Sequence, residues 1–148
     1  MPNSFASLHY HIVFATHGRH PLITGEVAAR LHAYLAGIIE SQGGQAVLTG
    51  GTADHVHVLA ALSKNRAITD TIRDLKSNSS RWVHETFPEL GEFAWQAGYG
   101  AFTVSISGIP RVKAYIAHQA EHHKETTFED EFAAFLARHG IAARGIDG

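Results

Sequence analysis

Cysteine is absent from this 148-residue chain, which rules out disulfides, thiolate zinc sites and a cysteine nucleophile. No apolar run approaches membrane-spanning length. The opening residues, Met1-Pro2-Asn3-Ser4-Phe5, hold no basic region followed by an apolar stretch. The expectation is a cytoplasmic protein with no membrane partner. Excess positive charge is also missing. The formal charge is −2, unlike that of a strong nonspecific DNA binder. What remains, 45% hydrophobic and 18% charged residues, is the composition of an ordinary globular chain long enough to bury a core. One domain over residues 1–148 is expected, with a core at about 7–123 and a helical extension at about 124–140.

Charge is unevenly placed. Between Lys64 and Arg81 stand five basic residues, Lys64, Arg66, Arg73, Lys76 and Arg81, against Asp70 and Asp74. From Glu125 onward five acids face only Arg138 and Arg144. A basic middle can bind nucleic acid even where the sum is acidic. An amphipathic helix with a solvated polar face produces the same pattern. The chain has 12 histidines, so spacing, not number, must select among them.

Hydrophobic periodicity divides the chain. Residues 7–14, Ser-Leu-His-Tyr-His-Ile-Val-Phe, read as a strand rich in β-branched and aromatic residues. Arg19-His20-Pro21 breaks it. Thr24 then caps a helix carrying Val27, Leu31, Leu35, Ile38 and Ile39 at helical spacing. Gly43-Gly44 ends that helix. A second strand covers Gln45–Gly50, a turn follows over Gly50–Asp54, and His55–Leu62 is a third strand. A second helix runs from about Ala67 to Thr86 with Ile68, Ile72, Leu75, Trp82 and Val83 as its buried stripe. A fourth strand is expected near Phe93–Ser105, bulged or bent at Gly98-Tyr99-Gly100. Pro110 suits the first turn of a third helix that carries Val112, Tyr115, Ile116, Gln119 and His123. A last helix, near Phe128–His139, has Phe128, Phe132, Phe135 and Leu136 on one side. The order βαββαβ followed by helices is the α+β, ferredoxin-like arrangement of an antiparallel sheet.

Two spacings carry chemistry. In Asp54-His55-Val56-His57-Val58-Leu59, strand geometry turns both imidazoles to one face and both valines to the other. A mostly apolar strand seldom carries two imidazoles without a polar task. Asp54 can fix the tautomer of one of them. Tyr115 and Gln119, four apart on a helix, share a face. Two imidazoles and an amide oxygen can hold a divalent cation beside a phenol, which points to phosphodiester chemistry. Mg²⁺ or Mn²⁺ suits such mixed ligands, and Zn²⁺ can enter in vitro. The phenol needs that cation, because only about one tyrosine in a thousand is ionised at neutral pH. Tyr10 and Tyr99 fall in strands and Tyr34 among alanines. None of them has an amide one turn later beside further histidines.

These segments resemble the single-tyrosine transposases of the smallest bacterial insertion sequences, members of the HUH (His-hydrophobic-His) endonuclease superfamily. The matching stretches are Tyr10–Thr16 with Arg19, Asp54–Leu59, Leu75-Lys76-Ser77 with Ser79, Trp95–Phe102, and Val112-x-x-Tyr115-Ile116-x-x-Gln119-x-x-His122-His123. They occur in family order and spacing. The resemblance implies that His55, His57 and Gln119 hold the metal and that Tyr115 is the catalytic nucleophile. It implies binding of single-stranded DNA hairpins at element ends, a 5′-phosphotyrosine intermediate with a free 3′-OH, and rejoining without ATP. It also implies a homodimer whose tyrosine helix completes the partner subunit's site.

For DNA contacts, Arg66, Arg73, Lys76, Ser77, Ser79 and Arg81 suit phosphates, and Trp95, Tyr99 and Phe102 suit stacking on bases or packing in the sheet. Two other readings remain open. One is a domesticated protein that binds hairpins without cutting them. The other is a histidine-dependent phosphodiesterase with a second motif at His9-Tyr10-His11, which leaves Tyr115 and Gln119 without a role.

Overall fold

Period-two and period-3.6 patterns alternate along the chain, and the computed structural model, which describes residues 4–119 and 126–141, shows strands and helices in that order. The strands are β1 (His9–Ala15), β2 (Gln45–Gly51), β3 (His55–Ala61) and β4 (Gly100–Thr103). The helices are α1 (Gly25–Ser41), α2 (Ile68–Thr86), α3 (Ile109–Ala117) and α4 (Phe128–Arg138). The sheet order is β2-β3-β1-β4 with every pairing antiparallel, the ferredoxin-like topology expected from βαββαβ.

Alternation along the two central strands divides the core. Ile12, Phe14, Val56, Val58 and Ala60 face α1 and α2, where they pack with Leu31, Leu35, Ile39, Ile72, Leu75 and Val83. Val13 and Ala15 face the other way and meet Phe128, Phe132, Phe135 and Leu136 of α4. Burying each of those large side chains is worth about 1.5–3 kcal/mol, enough to hold α4 against the sheet. Register then sets the site. Val13 pairs with His57 and Ala15 with His55, so both imidazoles emerge on the α4 face.

Glycines let two segments come close to that face. A Cβ on Gly50, which pairs with His57, would lie 2.9 Å from Cγ2 of Ile116, so glycine lets α3 lie against β2. Gly51, at φ 143, would bring a Cβ within 2.3 Å of the His55 carbonyl oxygen. Only glycine fits that turn.

Two boundaries differ from expectation. The fourth strand is confined to Gly100–Thr103, not Phe93–Ser105; upstream of it Trp95 keeps only a bridge to Thr16. Lys76 Nζ takes the carbonyls of Gln96 and Gly98 at 2.7 and 2.8 Å, so those acceptors are spent on α2 instead of a ladder. Helix α3 stops at Ala117 with His118 as its C-cap. The part of the expected helix that includes His122 and His123 lies outside the described residues. Thr24 occupies the N-cap position of α1 in extended backbone geometry but makes no side-chain cap hydrogen bond.

Candidate active site

Both motif histidines are fully buried at 0% exposure. His55 Nδ1 donates to Asp54 Oδ1 at 2.8 Å, and Thr52 Oγ1 also reaches that carboxylate at 3.1 Å. Nδ1 of His57 lies 2.7 Å from Nε2 of His11. The two remaining nitrogens converge. Each Nε2 stands 3.4 Å from Oε1 of Glu131, and His55 Nε2 stands 3.1 Å from Oε1 of Gln119. The Gln119 amide nitrogen donates to Oε2 of Glu131 at 3.1 Å. Gln119 therefore meets the pair, but from past the end of α3 and not from the helix face it was expected to share with Tyr115.

The donor set fits a divalent cation. One donor atom from each of His55, His57 and Glu131 lies within 4.8 Å of the others. Donors held about 2.1 Å from one ion stand roughly 3.0–3.4 Å apart, close to the separations found here. Nε2 of His57 is buried and makes no hydrogen bond among the described residues, as befits a nitrogen with a lone pair to give. Imidazole nitrogen with carboxylate and amide oxygen is a mixed set that accepts Mg²⁺, Mn²⁺ or Zn²⁺.

Without an ion, protons carry the charge balance. Burial would lower the pKa of His55, but its bonds to Asp54 and Glu131 outweigh burial and raise it to about 9. Burial lowers His57, with the charge on His55 adding to the effect. Burial beside His57 pushes His11 down to about 3. Burial alone would raise Glu131, yet the bond from His55 and the nearness of His57 hold it well below the usual carboxylate range. In the metal-free state one imidazolium and one carboxylate thus share the cluster.

Tyr115, half-buried on α3, donates its hydroxyl to Oε2 of Glu131. Its ring is edge-on to His57 with centroids 5.8 Å apart. Burial and then the adjacent carboxylate raise its pKa above the ordinary tyrosine value, so the phenol is protonated at rest. All of these groups come from a single copy of the chain.

Sequence reasoning left two members out of the metal cluster, although His11 stands in the second motif of its phosphodiesterase alternative. Glu131 is one. It is 3% exposed and falls within the spacing Phe128-x-x-Glu131-Phe132-x-x-Phe135, so a carboxylate interrupts the apolar stripe of α4. That interruption was the available signal. His11 is the other, and its signal was its alternation with Val13 and Ala15. It does not form a second His-x-His site with His9, whose Nδ1 instead lies 3.4 Å from Ser7 Oγ at an exposed position.

The expected DNA-contact residues separate by environment. Arg73, Lys76, Ser77, Trp95 and Tyr99 line one open groove of about 610 Å³ between α2 and residues 94–99. Within it, Trp95 packs edge-on against Phe14 and Phe93 and donates to Ser79 Oγ at 2.9 Å. Tyr99 is 41% exposed. Arg66 pairs with Asp74 at 2.5 Å and faces a different cleft with Lys64 and Asn65. Arg81 is exposed and donates to Asn78. Phe102 is buried under α4.

An antiparallel βαββαβ sheet with a His-x-His pair facing a tyrosine-bearing helix is the fold of the small HUH-type transposases. The chain belongs to the IS200-like transposase family, whose model matches residues 4–119. The ISDra2 transposase TnpA of Deinococcus radiodurans is 31% identical over 123 residues, 80% of this chain and 86% of that protein. The transposase for insertion sequence element IS200 of Salmonella typhimurium is 30% identical, covering 78% of each chain. Among solved structures, a protein from Deinococcus radiodurans R1 described as a transposase superposes with a TM-score of 0.67 at 30% identity, over 80% of this chain and 95% of that one. A REP-associated tyrosine transposase bound to a REP hairpin shares the fold at a TM-score of 0.60 and 12% identity, over 83% of this chain and 73% of that one. No helix among the described residues is long and apolar enough to cross a membrane.

Proposed function

We propose that this transposase cuts and rejoins single-stranded DNA at hairpin-bearing element ends through Tyr115. The hydroxyl oxygen attacks the scissile phosphorus, a 5′-phosphotyrosine bond forms, and the 3′ oxygen leaves as a free hydroxyl. That hydroxyl later attacks a phosphotyrosine, which restores the phosphodiester and the phenol without external energy. His55, His57, Gln119 and Glu131 would hold Mg²⁺ or Mn²⁺. When bound, such an ion supplies positive charge that polarises the phosphoryl group and stabilises its oxygens. Asp54 and Thr52 orient His55, and the Gln119 amide holds the carboxylate that orients the phenol.

The observation that carries this reading is the Tyr115 hydroxyl bonded to the same carboxylate that faces both motif imidazoles. The hairpin substrate draws support from the hairpin-bound relative. The groove lined by Arg73, Lys76, Ser77 and Tyr99 offers cations and a stacking surface for an unpaired strand. Arg66 and Arg81 would extend the phosphate contacts outside it. A homodimer, as the family resemblance implies, would present two such sites to the two ends.

The decisive test incubates the protein with Mg²⁺ or Mn²⁺ and single-stranded DNA carrying the element end that flanks its own gene. A covalent protein–DNA adduct is expected. Tyr115→Phe should abolish the adduct and retain hairpin binding. An undiminished adduct in that variant rejects the assignment. Hairpin binding with no adduct from the unaltered protein favours the non-cutting reading instead.

A further inference from the structure

His11 belongs to β1, yet its Nε2 lies 2.7 Å from Nδ1 of His57. The two rings meet edge to edge, inclined by 28° with centroids 4.9 Å apart. Pairing explains the approach. His11 sits opposite Leu59 and Val13 opposite His57, so the two histidines are diagonal neighbours on one face of adjacent strands. His11 is 2% exposed. Phe102 packs against its ring at 6.3 Å and Phe135 edge-on at 5.0 Å, so the imidazole has little freedom to turn.

For His57 to offer the Nε2 lone pair to a cation, it must carry its hydrogen on Nδ1. That N–H needs an acceptor, because a buried donor left alone is costly. His55 has a carboxylate for the task, Asp54. For His57 the acceptor among the described residues is the ring nitrogen of His11. We propose that His11 is a positioning residue for the metal centre: it accepts the Nδ1–H of His57 and thereby fixes which nitrogen of that ligand faces the cation. Histidine suits the place. The slot between aromatic rings admits a flat ring, and imidazole supplies an acceptor without adding a second buried anion. His11 must then hold its own hydrogen on Nδ1.

This inference rests on the reading that His55 and His57 hold a cation, and the experiment separates the two. Mn²⁺ is titrated calorimetrically into the full-length, DNA-free protein and its His11→Phe and His11→Gln variants, with near-ultraviolet circular dichroism as the check on folding. Loss of the partner in His11→Phe should weaken Mn²⁺ binding about 10–100-fold. His11→Gln, which places an amide oxygen at similar reach, should recover most of it. Wild-type affinity in a folded His11→Phe protein overturns the inference, as does a glutamine variant no better than phenylalanine. Absence of Mn²⁺ uptake by the unaltered protein overturns the metal reading and this inference with it. Should the phenylalanine variant fail to fold, long-range ¹H–¹⁵N spectra of the unaltered, Mg²⁺-saturated protein decide. A hydrogen-free Nε2 on His11 is expected, and a protonated one refutes the assignment.

Discussion

The hydroxyl of Tyr115 donates to the carboxylate of Glu131, 16 residues further along the chain, and the same carboxylate faces Nε2 of both His55 and His57. A helix that looks in sequence like an appendage therefore supplies the centre of the cluster. The polar groups of that centre lie between 0% and 3% exposed apart from Tyr115 itself.

Removing that carboxylate should cost both stability and metal binding. Glu131→Ala leaves the imidazolium of His55 without its buried partner, and breaking a buried pair in this way costs about 3–5 kcal/mol. Urea denaturation of the metal-free protein is the check. Glu131→Gln keeps the shape and should lose less stability, while still lowering Mn²⁺ affinity by roughly tenfold or more.

A sealed cluster has to open before a phosphate can enter. The first turn of α4 is tied to the loop after β1 by Arg19, whose Nη2 lies 3.1 Å from Glu129 and whose guanidinium sits 4.6 Å from the Phe128 ring centre. Binding of single-stranded DNA should speed amide hydrogen exchange across residues 128–138, read by mass spectrometry. Unchanged exchange there on saturation with DNA would mean that α4 stays in place.

The metal-free protein should lose stability as the solution becomes more alkaline. His55 has a folded pKa of about 9 against an ordinary 6.5, so the stabilisation from its proton is fully present below about pH 6.5. The contribution fades as pH rises through 9, when the carboxylates of Asp54 and Glu131 lose their cation. Chelator-treated protein should melt at progressively lower temperature between those values. Mn²⁺ binding should strengthen over the same interval, because ion and proton compete for Nε2 of His55.

Within the α2 groove, two kinds of residue should behave differently. Arg73 is exposed and, among the described residues, pairs with its helix neighbours Asp70 and Asp74. Arg73→Ala should weaken DNA binding, reduce the salt slope by about one and leave the melting temperature nearly unchanged. Trp95→Ala removes a ring packed on Phe14 and Phe93 and should cost about 3–5 kcal/mol of stability. Melting curves beside filter-binding isotherms distinguish the two.

Much of this fold was legible because its elements announce themselves locally. The alternation in His55–Ala61 and the apolar stripes of α1 and α2 follow from how strands and helices turn their side chains, and the site histidines were read from the same rule. The fourth strand was overdrawn because aromatic and β-branched residues around 93–105 look strand-forming wherever they lie. Nothing local says that Lys76, 20 residues upstream of Gln96, will claim the carbonyls there. Stacking and packing stay open for Trp95 in the sequence for the same reason: its packing against Phe14 is a contact between distant segments.

The sequence by itself determined that two imidazoles share a face of one strand, that a phenol stands on a later helix with a carboxamide beyond it, and that no thiol chemistry is open to the chain. Those are consequences of bond geometry over a few residues. Only the tertiary structure decided that β1 would bring His11 to His57 and that α4 would fold its interrupted apolar stripe onto the sheet, carrying Glu131 between the imidazoles. Such meetings depend on strand register and on burying the phenylalanines of α4 together, and burial is a property of the whole packed chain.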